Sequence, residues 1–142
     1  MELKVVFWSG SGNTESMADM VAKGIKEAGQ EAKVISIEDI TPEVLADDAV
    51  FAMGCPAMGD EVLEETIVEP FVTDIEKLVN GKKIALFGSY GWGDGEWMRN
   101  WVERMEKAGA VVIGGEGVIC ADAPDEEAEE KLTELGKKMA EA

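Results

Sequence analysis

The chain has 142 residues, 30 acidic, 13 basic and no histidine, for a formal net charge of −17. That length suits one domain, 1–142, whose core buries about two-thirds of the surface its unfolded chain exposes, and an apolar fraction of 46% with 16 glycines reads as globular despite the charge. So acidic a surface repels phosphate backbones and anionic lipid heads, arguing against nucleic-acid and membrane partners, while the missing histidine excludes histidine-based hydrolase triads and His-bearing zinc sites.

A β-branched and aromatic run at 3–8 predicts a first strand that stops at glycines. From Glu15 onward Met17, Met20, Val21, Gly24, Ile25 and Ala28 recur at helical spacing, and Gly29 follows as a stop. Residues 33–37 alternate as a second strand, 42–46 form a short helical patch, and 49–54 make a continuous apolar third strand. An acidic helix is expected over 63–79, with Ile67, Phe71, Ile75 and Leu78 on one face. The fourth strand is 83–89. The helix over 95–108 carries Trp97, Met98, Trp101, Val102 and Met105, and the i, i+4 spacing of the two tryptophans assigns them to the core. A fifth strand starts at 110–113 and resumes at Val118 after Gly114, Gly115 and Gly117; the last helix covers 125–140.

Cys55 and Cys120 form neither a zinc pattern nor a disulfide framework, so both are expected as reduced thiols. Glu2 and Lys4 interrupt the first apolar run, which therefore does not read as a secretory signal. The longest uncharged stretch, 49–59, is too short for a membrane span, which takes about 20 residues. A cytoplasmic monomer is expected.

Strands alternating with helices predict right-handed crossovers and a five-stranded parallel sheet covered on both faces: an α/β, doubly wound, three-layer sandwich. Ligands of such sheets bind beyond the carboxyl ends of the strands, where the winding reverses. Three loops fall there. In Ser9-Gly10-Ser11-Gly12-Asn13-Thr14, two glycines let backbone amides turn inward and three hydroxyls add donors beside a helix N-terminus, a phosphate grip with no lysine or arginine. It lacks the Gly-Lys-Ser/Thr of a Walker loop, and Glu15 stands where a dinucleotide fingerprint needs glycine. In Ser89-Tyr90-Gly91-Trp92-Gly93, loop aromatics between glycines are placed to stack on something flat. In Pro56-Ala57-Met58-Gly59-Asp60-Glu61, Met58 can cover the other face of a planar ligand, and Gly59 lets the turn reverse a peptide group. Trp8 stands where it can border this pocket or join the core.

Residues 8–15, 54–61 and 86–95 resemble the three FMN loops of the flavodoxins, in the right order and at the right topological places. The resemblance extends over the whole chain, and the absence of a long insertion in the fifth strand points to the short-chain class. It implies a flavodoxin-like sheet of order 2-1-3-4-5 and bound FMN. Residues 9–14 would hold the phosphate, Trp92 and Met58 the outer and inner ring faces, and Glu61 the N3 edge. The Gly59 carbonyl would turn toward N5, with Asp60 beside it, and Ser89, Tyr90, Gly91, Trp92 and Gly93 would line the pyrimidine side. The implied function is a low-potential one-electron carrier shuttling between semiquinone and hydroquinone, not an enzyme.

A phosphoacceptor receiver domain would need an acidic pair where Ser9 and Gly10 stand, and an aspartate in place of Gly54 or Cys55. A quinone reductase would need a second nucleotide site. Acidic clusters lie at 60–79, with seven acids against Lys77, and at 122–130, with six acids and no base. They predict a rim that steers basic-surfaced reductases and oxidases to the flavin edge.

Overall fold

Alternation along the strands decides which layer each residue enters. The computed structural model describes residues 2–59 and 61–142. Its strands are β1 (Glu2–Phe7), β2 (Glu31–Ser36), β3 (Val50–Gly54), β4 (Lys83–Tyr90), β5 (Val111–Val112) and β6 (Val118–Ala121). Its helices are α1 (Asn13–Glu27), α2 (Val68–Ile75), α3 (Glu96–Lys107) and α4 (Glu126–Glu141). Leu3, Val5, Phe7, Ala52, Ala85 and Phe87 point into one apolar layer with α1 and α4. Val6, Phe51, Met53, Ile84 and Leu86 point into the other, with α2 and α3. This period of two is what a sheet buried on both faces requires.

The strands are parallel in the order β2-β1-β3-β4-β5, as expected, with β6 also on β4. The chain winds one way from β1 to β2 and the other way to β3, so the switch point lies between β1 and β3. There the Trp8 amide donates to the Gly54 carbonyl at 3.0 Å, joining the ends of the two strands. Trp8 is half-buried and packs on the α2–α3 layer. Trp97 and Trp101 are core residues, each 1% exposed.

One element differs from expectation. The helix expected over 63–79 is only Val68–Ile75. Pro70 lacks an N–H and is tolerated in the first helical turn, so the helix starts just before it; residues 62–67 take another path, held by a carboxylate described below. The fifth strand comes in two pieces, as the glycine interruption predicts, β5 opposite Lys83 and Ile84 and β6 opposite residues 87–90 of β4. Between them Gly114 and Gly115 adopt φ of +82° and +80°, which lifts the chain off the sheet edge. No described helix is long and apolar enough to cross a membrane.

Candidate functional site

The loop after β1 leaves its donors open. The Ser9 hydroxyl accepts the Gly12 amide at 2.9 Å, and Gly12 opens α1 in a left-handed conformation, φ +94°. The first helical backbone bond runs from the Ser16 amide to the Gly12 carbonyl. The amides of Asn13, Thr14 and Glu15 therefore find no acceptor among the described residues, as the first turn of a helix dictates. Gly10 and Ser11 are exposed beside them. Thr14, in contrast, is buried, and its hydroxyl lies 3.2 Å from that of buried Ser89, at the end of β4.

The loop after β3 leaves the sheet through Cys55, whose amide donates to the Phe87 carbonyl, and Ala57, whose amide donates to the Ser89 carbonyl at 2.9 Å. A tight turn follows. Met58 and Val62 exchange two backbone hydrogen bonds of 2.9 Å, and Gly59 within the turn has φ +51°. Asp60 lies outside the described residues. Glu61 has φ +57°, a conformation uncommon for a non-glycine residue. Its side chain is buried, and Oε1 accepts the amides of Asp94 and Gly95 at 2.9 and 3.2 Å. Oε2 receives no hydrogen bond from the described residues.

The loop after β4 carries the aromatics. Trp92 is 62% exposed, a large apolar surface for water to cover unless a ligand does. Tyr90 is half-buried, its ring 5.6 Å from that of Trp97 and tilted by 51°. The Trp97 indole N–H donates to the Cys55 carbonyl at 3.1 Å, tying α3 under the second loop. β6 ends at the same edge: Cys120 pairs in register with Ser89 and Ala121 with Tyr90, and the Asp122 amide donates to the Tyr90 carbonyl at 2.8 Å.

The fold thus brings all three predicted loops together and links them to one another. It places Ser89 beside Thr14 under the first loop and sets Tyr90 against Trp97, while Met58 (37% exposed) and Trp92 stand open. Pro56 and Ala57 are half-buried, and Gly91 and Gly93 are exposed. Burial pushes the Cys55 thiol up to about 12, so it stays protonated at neutral pH. Burial, then Asp125 and Asp122, raises Cys120 as well. Both cysteines are free.

Sequence reasoning missed Glu64. Its buried carboxylate accepts the hydroxyl and amide of Thr66, the amide at 2.7 Å, and the amides of Ile67 and Val68 at 2.7 and 3.0 Å. Burial drives this group upward, but the Thr66 hydroxyl and the three amides outweigh it and hold it at about 2. Its charge therefore fixes the passage from the 58–62 turn into α2. The edge formed by Cys120 and Ala121 stayed without an assigned role in the sequence; its one signal was position, at the end of the last strand.

Fold and loops define a flavodoxin-like α/β protein whose open donors and aromatic covers gather at the switch point. A family model described as Flavodoxin matches residues 5–135. The chain is 50% identical over 138 residues to a flavodoxin of Clostridium beijerinckii, covering 97% of this chain and 99% of the relative. It is 46% identical over 140 residues to a flavodoxin of Megasphaera elsdenii, covering 99% of each. The solution structure of two-electron reduced Megasphaera elsdenii flavodoxin matches it with a TM-score of 0.89 at 44% identity, over 100% of both chains. The chain belongs to the flavodoxin family: it is an FMN-binding carrier that exchanges electrons with redox enzymes, and not itself an enzyme.

Proposed function

We propose that the chain acts as a monomeric, single-domain, low-potential one-electron carrier in the cytoplasm, with FMN held by the three loops of the switch point. The observation that carries this assignment is the set of unfilled hydrogen-bonding groups there. Three amides and the Ser11 hydroxyl at the start of α1 suit a phosphate without any cation, and Glu61 Oε2 suits the N3–H of a flavin. When bound, FMN supplies one-electron oxidation and reduction.

The chain's residues do the rest. Ser9, Gly10, Ser11, Gly12, Asn13 and Thr14 bind the phosphate, with Ser9 holding the loop in shape. Met58 and Trp92 cover the two ring faces and exclude water. Gly59 has no atom within 4 Å of where a Cβ would stand, so its peptide is free to reverse and offer its carbonyl to a proton on N5. Pro56, Ala57, Tyr90, Gly91 and Gly93 shape the ring edge, and Ser89 supports the phosphate loop from below through Thr14. Carboxylates lower the potential of the second electron: one at about 10 Å, with an effective dielectric of about 40, opposes it by roughly 0.8 kcal/mol before screening. For a one-electron couple this is about 35 mV. The acidic rim steers basic-surfaced reductases and oxidases, and two free thiols suit a reducing compartment.

Titrating flavin-free protein with FMN tests the assignment. Uptake of one FMN per chain, read from flavin fluorescence, is expected. Trp92→Ala loses about 1–3 kcal/mol of stacking, which weakens binding roughly 5- to 150-fold. Protein that takes up no FMN refutes the assignment, and unchanged affinity in the variant refutes the role of Trp92.

A further inference from the structure

α3 begins without a cap of its own. Gly95 precedes it at φ +95° and has no side chain to accept an amide. The Asp94 carboxylate, one residue earlier, is exposed and turned to Arg99 at 3.0 Å. The amides of Asp94 and Gly95, the two residues that lead into the helix, are instead met from 33 and 34 residues away in sequence, by Glu61 Oε1. The fit is close enough to constrain the neighbouring loop: a Cβ on Gly93 would stand 1.9 Å from that same oxygen, and Gly93 has φ +89°. Glu61 reaches the helix because the 58–62 turn sets its backbone at φ +57° and buries its side chain to 8% exposure.

We propose that Glu61 is a positioning residue that caps α3 from across the site, so that its carboxylate orders residues 91–95, and with them Trp92, before any flavin arrives. A carboxylate at a helix N-terminus satisfies unpaired donors and meets the positive end of the helix dipole. The loop it orders is short of other anchors. The Asp122–Tyr90 hydrogen bond holds its start, the Trp97–Cys55 hydrogen bond holds the helix after it, and Arg99 holds Asp94 through its carbonyl and carboxylate; among the described residues it is Glu61 that ties the Trp92 segment to the loop after β3. The oxygens divide the work: Oε1 belongs to α3, and Oε2 stays open toward the ligand side. The cap stands in the chain alone; only its effect on cofactor binding rests on the FMN assignment above.

Amide hydrogen exchange in the flavin-free protein tests the cap, comparing the natural chain with Glu61→Asn and Glu61→Gln. Asparagine tolerates a positive φ but is one methylene shorter; glutamine keeps the reach and one acceptor oxygen. Glu61→Asn is expected to lower protection of the Asp94 and Gly95 amides at least tenfold, with the amides of β4 unchanged as the measure of intact folding. Glu61→Gln is expected to restore most of that protection. Unchanged protection in Glu61→Asn, or an equal loss in β4, overturns the proposal. FMN association, followed by fluorescence, is expected to slow at least tenfold in Glu61→Asn and to recover in Glu61→Gln; equal rates in all three proteins overturn the preordering of Trp92. If the natural chain takes up no FMN, the FMN assignment fails while the exchange data still report on the cap.

Discussion

Glu64 keeps its charge in a place where only 7% of its surface meets water, and four donors on three residues explain how. A carboxyl held at about 2, against an ordinary 4.5, stabilises the fold fully above the ordinary value. That stabilisation drains away as the pH falls from about 4.5 toward 2. Glu64→Gln keeps the length of the side chain and removes the charge. It is expected to lose about 1.5–3 kcal/mol at pH 7, the usual scale for hydrogen bonds to a charged group, and the gap to the natural protein should narrow at pH 3. Urea unfolding at the two pH values measures it; a gap equal at both would show that charge is not what the donors hold. Sequence reading could not find this residue, because helix starts are signalled by serine, threonine, aspartate or asparagine, and a glutamate looks like part of an acidic helix face. The glycines and hydroxyls of the first loop were legible because each departs from what a helix or strand interior tolerates. The partner of Thr14 was not, since Ser89 lies 75 positions away and meets it only through the sheet.

At the scale of elements, the pairing of α1 with α4 turns on two glycines. A Cβ on Gly24 would stand 1.9 Å from the Thr133 carbonyl oxygen, and one on Gly136 would stand 2.1 Å from that of Val21. The helices approach backbone to backbone, with neither neighbour able to swing aside. Alanine is the better helix former by about 1 kcal/mol, so an isolated helix would gain from Gly24→Ala. In this fold the substitution is expected to cost about 1–3 kcal/mol through overpacking, with the urea midpoint lowered; a raised midpoint would mean that the pair can separate freely. Period and punctuation made most elements readable: alternation marked the strands, and Gly29 closed the first helix. The one misjudged element carried its signal in plain view. Pro70 bounded α2, but apolar spacing across it suggested continuity, whereas the paired glycines of the last strand were read as the interruption they are. The contact between α1 and α4 was beyond sequence reading, because a glycine inside a helical pattern has the same appearance whether it packs or not.

The net charge of −17 acts at the scale of the whole molecule, and the structure shows which acids are tied to partners and which face solvent without one. Within 60–79, Glu61 and Glu64 serve backbone amides, Glu69 and Glu76 pair with Arg104, and Asp74 lies 3.9 Å from Lys77. Within 122–130, the Asp125 carboxylate caps α4 by accepting the Ala128 amide at 2.9 Å, while Glu127 pairs with Lys131 and Glu129 with Lys23. Exposed Glu65 and Asp122 make no ion pair among the described residues; Glu65 follows the 58–62 turn, and Asp122 is hydrogen-bonded through its amide to Tyr90. They are the carboxylates best placed to act on an approaching partner. Their field reaches about 30 Å at about 10 mM salt and about 3 Å at about 1 M, so steering of a basic-surfaced reductase should be strong in the first condition and nearly absent in the second. Electron exchange with such a partner, followed by stopped-flow absorbance, is expected to slow about tenfold or more across that range. Glu65→Lys combined with Asp122→Lys should slow it at low salt and leave the high-salt rate nearly unchanged, because only long-range attraction has been removed. A small neutral reductant, which feels no such field, should show neither effect. If it slows alongside the protein partner, salt is acting on the site itself and the acidic rim does not choose the partner.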